Sequence, residues 1–190
     1  MKTSRLEAFS DGVIAVIITI MVLELNVPHV ATPAALLAVS PSFLVYALSF
    51  TVIAIMWVNH HHFIEKALHA DAALLWSNNN LLFWMSLIPF VTAYLGENCH
   101  APLAVSAYGG IMAMTSAAFL FLQIVLAGQD KNEVTRRIEF RRMNRKAIAA
   151  MICYAASAGL AFVTVYASFA IFVIFPLLYF WPERKHTVID

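Results

Sequence analysis

The sequence predicts an all-α integral membrane protein, and two observations carry that reading. The 190 residues are 62% hydrophobic and only 12% charged, with a mean hydropathy of +0.78. Soluble domains run nearer one half apolar and one quarter charged, so one soluble core of this size cannot hide so much apolar surface. The apolar residues also fall into blocks of about 20, the length a helix needs to cross a bilayer. The length suits one membrane domain, residues 1–190, with no room for a soluble enzyme domain of ordinary size. Nucleic acid is not an expected partner, because the basic residues cluster beside apolar spans.

Six transmembrane helices per subunit follow in order. The first four spans are expected at about residues 9–25, 42–60, 74–95 and 103–126, with the third kinked at Pro89. The last apolar stretch, Lys146 to Trp181, would be roughly 54 Å long as one helix, against a hydrocarbon core of about 30 Å. It is therefore divided near Tyr166–Ser168 into spans 146–165 and 168–182, although no turn signal marks the division. The stretch from Asp130 to Lys146 reads as an exposed charged helix, either a solvated topology determinant or a contact for anionic lipid. Glu7 and Asp11 interrupt what would be the basic region and apolar core of a signal peptide. Cys99 falls in an outer loop and Cys153 roughly 10 Å into a span, so no disulfide between them is expected.

Charge sets the orientation. The proposed inner segments hold Lys2, Arg5, Lys66, Lys131, Arg136, Arg137, Arg141, Arg142, Arg145, Lys146, Arg184 and Lys185, which is every Lys and Arg in the chain. The outer loops near Asn26–Pro33 and Glu97–Ala101 hold none. The positive-inside rule then predicts a multi-pass protein of the cell membrane with both termini cytoplasmic.

The first span carries the most information. Asp11 lies at its inner mouth and Glu24 at its outer mouth. Ionisable groups at membrane depth usually need a partner or water. Arg5 is a candidate partner for Asp11, within one subunit or between neighbours; the bland alternative leaves both acids in the headgroup zone. At about 100° per residue, Gly12, Val16, Thr19, Ile20 and Leu23 share one face. That stripe suits a pore wall with Thr19 as its polar ring. It equally suits a packed helix whose Thr19 bonds back to its own backbone. Periodicity does not decide, because the other faces are apolar too.

Arg5-x-x-x-Phe9-Ser10-Asp11 opening an Ile/Val-rich helix resembles the signature of the transmembrane protein 175 family, potassium channels of animal endosomes and lysosomes with shorter prokaryotic relatives. Trp57-Val58-Asn59-His60-His61 is similar to the family's Trp-x-x-His-His element, and Ser86-Leu87-Ile88-Pro89-Phe90 to its Ser-Leu-Ile-Pro-Phe segment. The resemblance covers about the first half of the chain; the second half matches only in hydropathy. It implies six helices per repeat and, for a single-repeat chain, a homotetramer of identical subunits in the lipid bilayer. The first helix of each subunit would line the pore. Val16 matches the narrowest aliphatic layer, where the family usually has Ile or Leu. Ile20 and Leu23 match further layers, and Thr19 matches a conserved threonine. Gly12 and Glu24 fall at the pore mouths. Arg5, Phe9, Ser10, Asp11, Trp57, His60 and His61 resemble a polar network that fixes the first helix from behind.

No Thr-Val-Gly-Tyr-Gly type filter loop exists here, so a carbonyl cage of the usual kind is not available. The expected activity is a leak-type potassium channel with a hydrophobic constriction, modestly selective over sodium, with the permeant potassium ion as cargo and no cofactor. His60-His61-His62 does not suit a metal, because successive helical residues point about 100° apart. Asn78, Asn79 and Asn80 read as interhelical hydrogen-bonding groups. The alternative function is a proton- or cation-coupled secondary transporter, which wants a buried acid near the bilayer midplane; no span has one. A haem or metal enzyme would want His residues within spans, and all seven fall at ends or loops.

Overall fold

The computed structural model describes residues 2–129 and 133–179, with side chains described to Gln129 and again over residues 145–177. Eight helices form among them: α1 Thr3–Leu23, α2 Pro33–Ala38, α3 Ser40–Glu65, α4 Ala72–Ser86, α5 Ile88–Glu97, α6 Pro102–Gln129, α7 Glu133–Leu160 and α8 Val165–Tyr179. Helices α1, α3 and α6 are each long and apolar enough to cross a membrane. This is an all-helical membrane protein.

Local chemistry explains the boundaries. Thr32 caps the short α2 by accepting from the Ala35 N–H at 3.2 Å, with Pro33 at its first position. Asp71 caps α4 through the Leu74 N–H at 2.8 Å. The expected third span is two helices, α4 and α5, broken at Leu87. Pro89 lacks a backbone N–H and crowds the carbonyl four residues before it, so the helix restarts rather than running on.

The last apolar stretch also divides, but earlier than Tyr166–Ser168. The chain turns at residues 161–164, where the Val163 and Thr164 N–H groups both reach the Leu160 carbonyl, at 2.9 and 2.8 Å. Gly159 and the β-branched Val163–Thr164 pair are weak helix formers at that point. The Ser168 hydroxyl donates across the turn to the Ser157 carbonyl at 2.7 Å. The end of the expected span 168–182, with Arg184 and Lys185, lies outside the described residues.

Helix α1 lies against α3, α4 and α5, while α6 and α7 form a hairpin against α8. Gly109 allows that hairpin to close: a Cβ there would come within 2.7 Å of Ser157 Oγ and 3.1 Å of the Tyr154 carbonyl. At the loop ends, Asn26 donates to Glu97 at 2.9 Å on one side and Gln129 donates to the His69 carbonyl at 2.9 Å on the other. Both cysteines are free.

Candidate functional site

Helix α1 divides into two faces. Leu6, Ser10, Ile14, Ile17 and Met21 are buried, spaced three or four residues apart as one helical face requires. Gly12, Val16, Thr19, Ile20 and Leu23 all fall on the opposite face and are exposed. Val16 is 55% exposed and Leu23 80%, against 1% for Ile14. A Cβ at Gly12 would meet nothing within 4 Å. The Thr19 hydroxyl donates to the Val16 carbonyl at 2.8 Å while remaining exposed. Glu24 is exposed as the C-cap, its backbone N–H turned back to the Ile20 carbonyl at 3.2 Å.

The N-terminal half of α1 is tied to α3 by a two-rung ladder. Glu7 and Asp11 are four residues apart on α1, and Trp57 and His61 are four apart on α3, so each pair shares a face. The Trp57 indole donates to Asp11 Oδ1 at 2.9 Å, and His61 Nδ1 lies 2.8 Å from Glu7 Oε1. One ligand-capable atom each from Glu7, Asp11 and His61 lies within 4.8 Å of the others. The Trp57 and His61 bonds already use one oxygen of each carboxylate.

Behind the ladder is a buried knot joining α1, α3 and α4. His60 Nε2 donates to Asn78 Oδ1 at 2.7 Å, and Asn78 Nδ2 donates to Ser10 Oγ at 3.0 Å. The Ser10 hydroxyl donates to the Leu6 carbonyl at 2.9 Å. With the Asn78 amide in this orientation the His60 proton sits on Nε2, and buried Nδ1 has no partner among the described residues. A second cluster ties the C-terminal half: Thr92 Oγ1 lies 2.8 Å from Ser49 Oγ, which lies 3.0 Å from the Tyr108 hydroxyl, and Met21 Sδ is 3.9 Å from Thr92.

The structure brings Ser10, Asp11, Trp57, His60 and His61 together, but not Arg5 or Phe9. No ion pair joins Arg5 to Asp11 within the subunit. Six residues separate them, which turns the two side chains about 120° apart. Both Arg5 and Phe9 instead prolong the exposed stripe. The three adjacent histidines diverge: His60 meets Asn78, His61 meets Glu7, and His62 packs 6.2 Å from the Phe63 ring. Asn78 is the interhelical asparagine; Asn79 and Asn80 are exposed. Sequence reading missed Glu7 and the Ser49–Thr92–Tyr108 cluster. The matched four-residue spacings on α1 and α3 were the available signal for Glu7. Isolated hydroxyls in apolar spans gave no comparable signal.

These features define a polytopic helical membrane protein whose first helix is locked on one face and open on the other. Residues 5–89 match the family described as the endosomal/lysosomal potassium channel TMEM175. A potassium channel of Chryseobacterium sp. is 35% identical over 185 residues, covering 97% of this chain and 96% of that one. A potassium channel of Chamaesiphon minutus is 39% identical over 127 residues, 62% of this chain and 63% of that protein. The crystal structure of a lysosomal potassium-selective channel TMEM175 homolog from Chamaesiphon minutus superposes with a TM-score of 0.83 at 32% identity, over 93% of this chain and 95% of that one. The chain belongs to the TMEM175 family, a family of channels rather than enzymes.

Proposed function

We propose that the chain is the subunit of a homotetrameric potassium channel whose pore is lined by α1 of each copy. The observation that carries this reading is the exposed stripe Gly12–Val16–Thr19–Ile20–Leu23 on a helix whose other face is held rigid. Exposure alone does not separate a pore wall from a lipid-facing surface, since Phe43, Leu44 and Phe50 are exposed as well. The polar ladder and knot distinguish α1, because precise support behind a helix matters most where its front face forms a constriction.

In the proposed assembly, Val16, Ile20 and Leu23 form apolar rings at which an ion sheds water. Potassium holds its hydration less tightly than sodium, so dehydration favours it modestly. With its proton committed to the Val16 carbonyl, Thr19 offers only oxygen lone pairs outward, which suits a passing cation. Glu24 raises the local cation concentration at the outer mouth, and Gly12 keeps the inner mouth wide. Six spans per subunit, the cell membrane as location, cytoplasmic termini and leak-type conduction belong to the same proposal. Glu7 and Asp11 are each bonded to α3 and Glu24 caps the end of α1, which fits a channel better than a transporter with an unpartnered midplane acid.

The test is flux through purified protein in liposomes, with potassium compared against sodium. Fast potassium flux without a counter-substrate is expected, and Val16→Asn should reduce potassium-over-sodium selectivity. Unchanged selectivity would reject this pore register; slow saturating exchange that needs a counter-substrate would favour a transporter.

A further inference from the structure

A cavity of about 300 Å³ lies among α3, α6, α7 and α8, on the side of α3 away from α1. A helical wheel separates the two sides. Trp57, His60 and His61 fall within about 100° on α3 and bond to α1 and α4. Val52, Ile55, Met56, Asn59 and His62 line the cavity and fall within about 120° on the opposite side.

The lining is polarised along its length. Asn59 and His62 stand near the end of α3, with Val52 and Ile55 deeper. On α6, Gln123 stands roughly 10 Å along the axis from Ser116, and on α7, Lys146 stands about 12 Å from Tyr154. The end of α6 meets the chain just after α3, through the Gln129–His69 bond, so the polar residues of these helices share one end. Val52, Tyr154 and Phe175 line the deeper part, while Phe119 meets Phe63 beside His62 at 5.7 Å. Gln123 is only 5% exposed, and its buried Oε1 has no partner among the described residues. A buried amide normally finds one, and this one lines the cavity.

We propose that the cavity binds an acyl chain carrying an anionic head. The head lies among His62, Gln123 and Lys146, and the chain among Val52, Tyr154 and Phe175. Lys146 is exposed and lends its charge at the mouth while its stem packs along the wall. The Gln123 amide accepts from a head-group hydroxyl or, turned over, donates to an anionic oxygen. The volume is at the lower end for small-molecule sites, about 300–1,000 Å³, and suits part of one chain. The same chemistry occurs in a free fatty acid and in an anionic phospholipid.

The experiment measures binding of radiolabelled oleate to the purified full chain in detergent, with competition by phosphatidylglycerol and by oleyl alcohol. Saturable binding is expected. Ala150 lines the cavity from α7, so Ala150→Phe fills it and should weaken binding about tenfold or more. Lys146→Gln, at an exposed position that leaves the core intact, should weaken it severalfold through loss of a charge-assisted contact. Oleyl alcohol should compete severalfold less well than oleate. Competition by phosphatidylglycerol would assign the site to membrane lipid. Saturable oleate binding without that competition would assign it to free fatty acid, and either result supports the proposal. Non-saturable partitioning, equal binding of the alcohol, or binding unchanged in both variants would overturn it. None of these readouts depends on ion flux, so the site and the channel reading can fail separately.

Discussion

On α1, Ser10, Ile14, Ile17 and Met21 pack into their own subunit, while Val16, Thr19, Ile20 and Leu23 on the other side of the same helix touch little of it. Both faces are almost wholly apolar, so hydrophobicity does not tell them apart. What differs is polar anchoring. The buried face and its flank hold Ser10, Glu7 and Asp11, each bonded to α3 or α4, and Met21 against Thr92. The exposed face holds one hydroxyl, turned back on its own backbone. Within a membrane the apolar contacts of either face resemble lipid contacts, so hydrogen bonds and shape decide which face binds the subunit. Changes on the anchored face should therefore cost stability, and changes on the open face should alter conduction.

The largest expected effect is at Asn78. Asn78→Ala removes the acceptor for His60 and the donor to Ser10 together. Leaving buried polar groups unmet costs about 1–3 kcal/mol each, so a loss of about 2–4 kcal/mol is expected. Thermal unfolding in detergent should show it as a clearly lower midpoint. An unshifted midpoint would mean that the knot does not hold α1 in place.

Val16→Asn should do the opposite. An exposed substitution away from the buried network usually moves stability by no more than about 0.5 kcal/mol, so the midpoint should hold. Potassium-over-sodium selectivity, read from reversal potentials, should fall severalfold. A large stability loss with selectivity intact would mean that Val16 packs between subunits instead of facing ions.

Asp11 tests the ladder with a smaller effect, because the pair is partly exposed and a contact there is worth about 1 kcal/mol after screening. Asp11→Ala should reduce the assembled fraction on gel filtration while channels that do form conduct normally. Asp11→Asn keeps an oxygen for the Trp57 indole and should assemble better than the alanine variant. Equal assembly of the two would remove Trp57 from the account.

The sequence made the helical membrane class legible because composition and apolar blocks of spanning length are strong signals. The stripe on α1 was legible as a face, since helical periodicity is a local property. Tertiary partners were harder to read. Arg5 and Asp11 are close in sequence and opposite in charge, which suggested a pair, yet helical geometry turns them apart and Asp11 takes an indole from α3 instead. The turn at residues 161–164 was placed a few residues late because nothing stronger than Gly159 and two β-branched residues marks it. Ser49, Thr92 and Tyr108 are far apart in sequence, and only the packing of α3, α5 and α6 brings them together.

The smallest effect is expected far from both faces of α1, at Asp71 in the loop before α4. The Leu74 N–H that it caps holds its carboxyl below the ordinary carboxylate range, with His69 3.4 Å away adding to the effect. A carboxyl with a lowered folded-state pKa stabilises the fold above its unfolded pKa. That contribution is lost as pH falls through the lower, folded value. The Asp71→Asn variant keeps the cap oxygen but not the charge, so its midpoint should lie slightly below the parent's at neutral pH and converge with it in acid. Asp71→Ala loses the cap oxygen as well and should stay below at every pH. If all three proteins titrated in parallel, the charge on Asp71 would contribute nothing, and the α4 cap would be a matter of hydrogen-bond geometry alone.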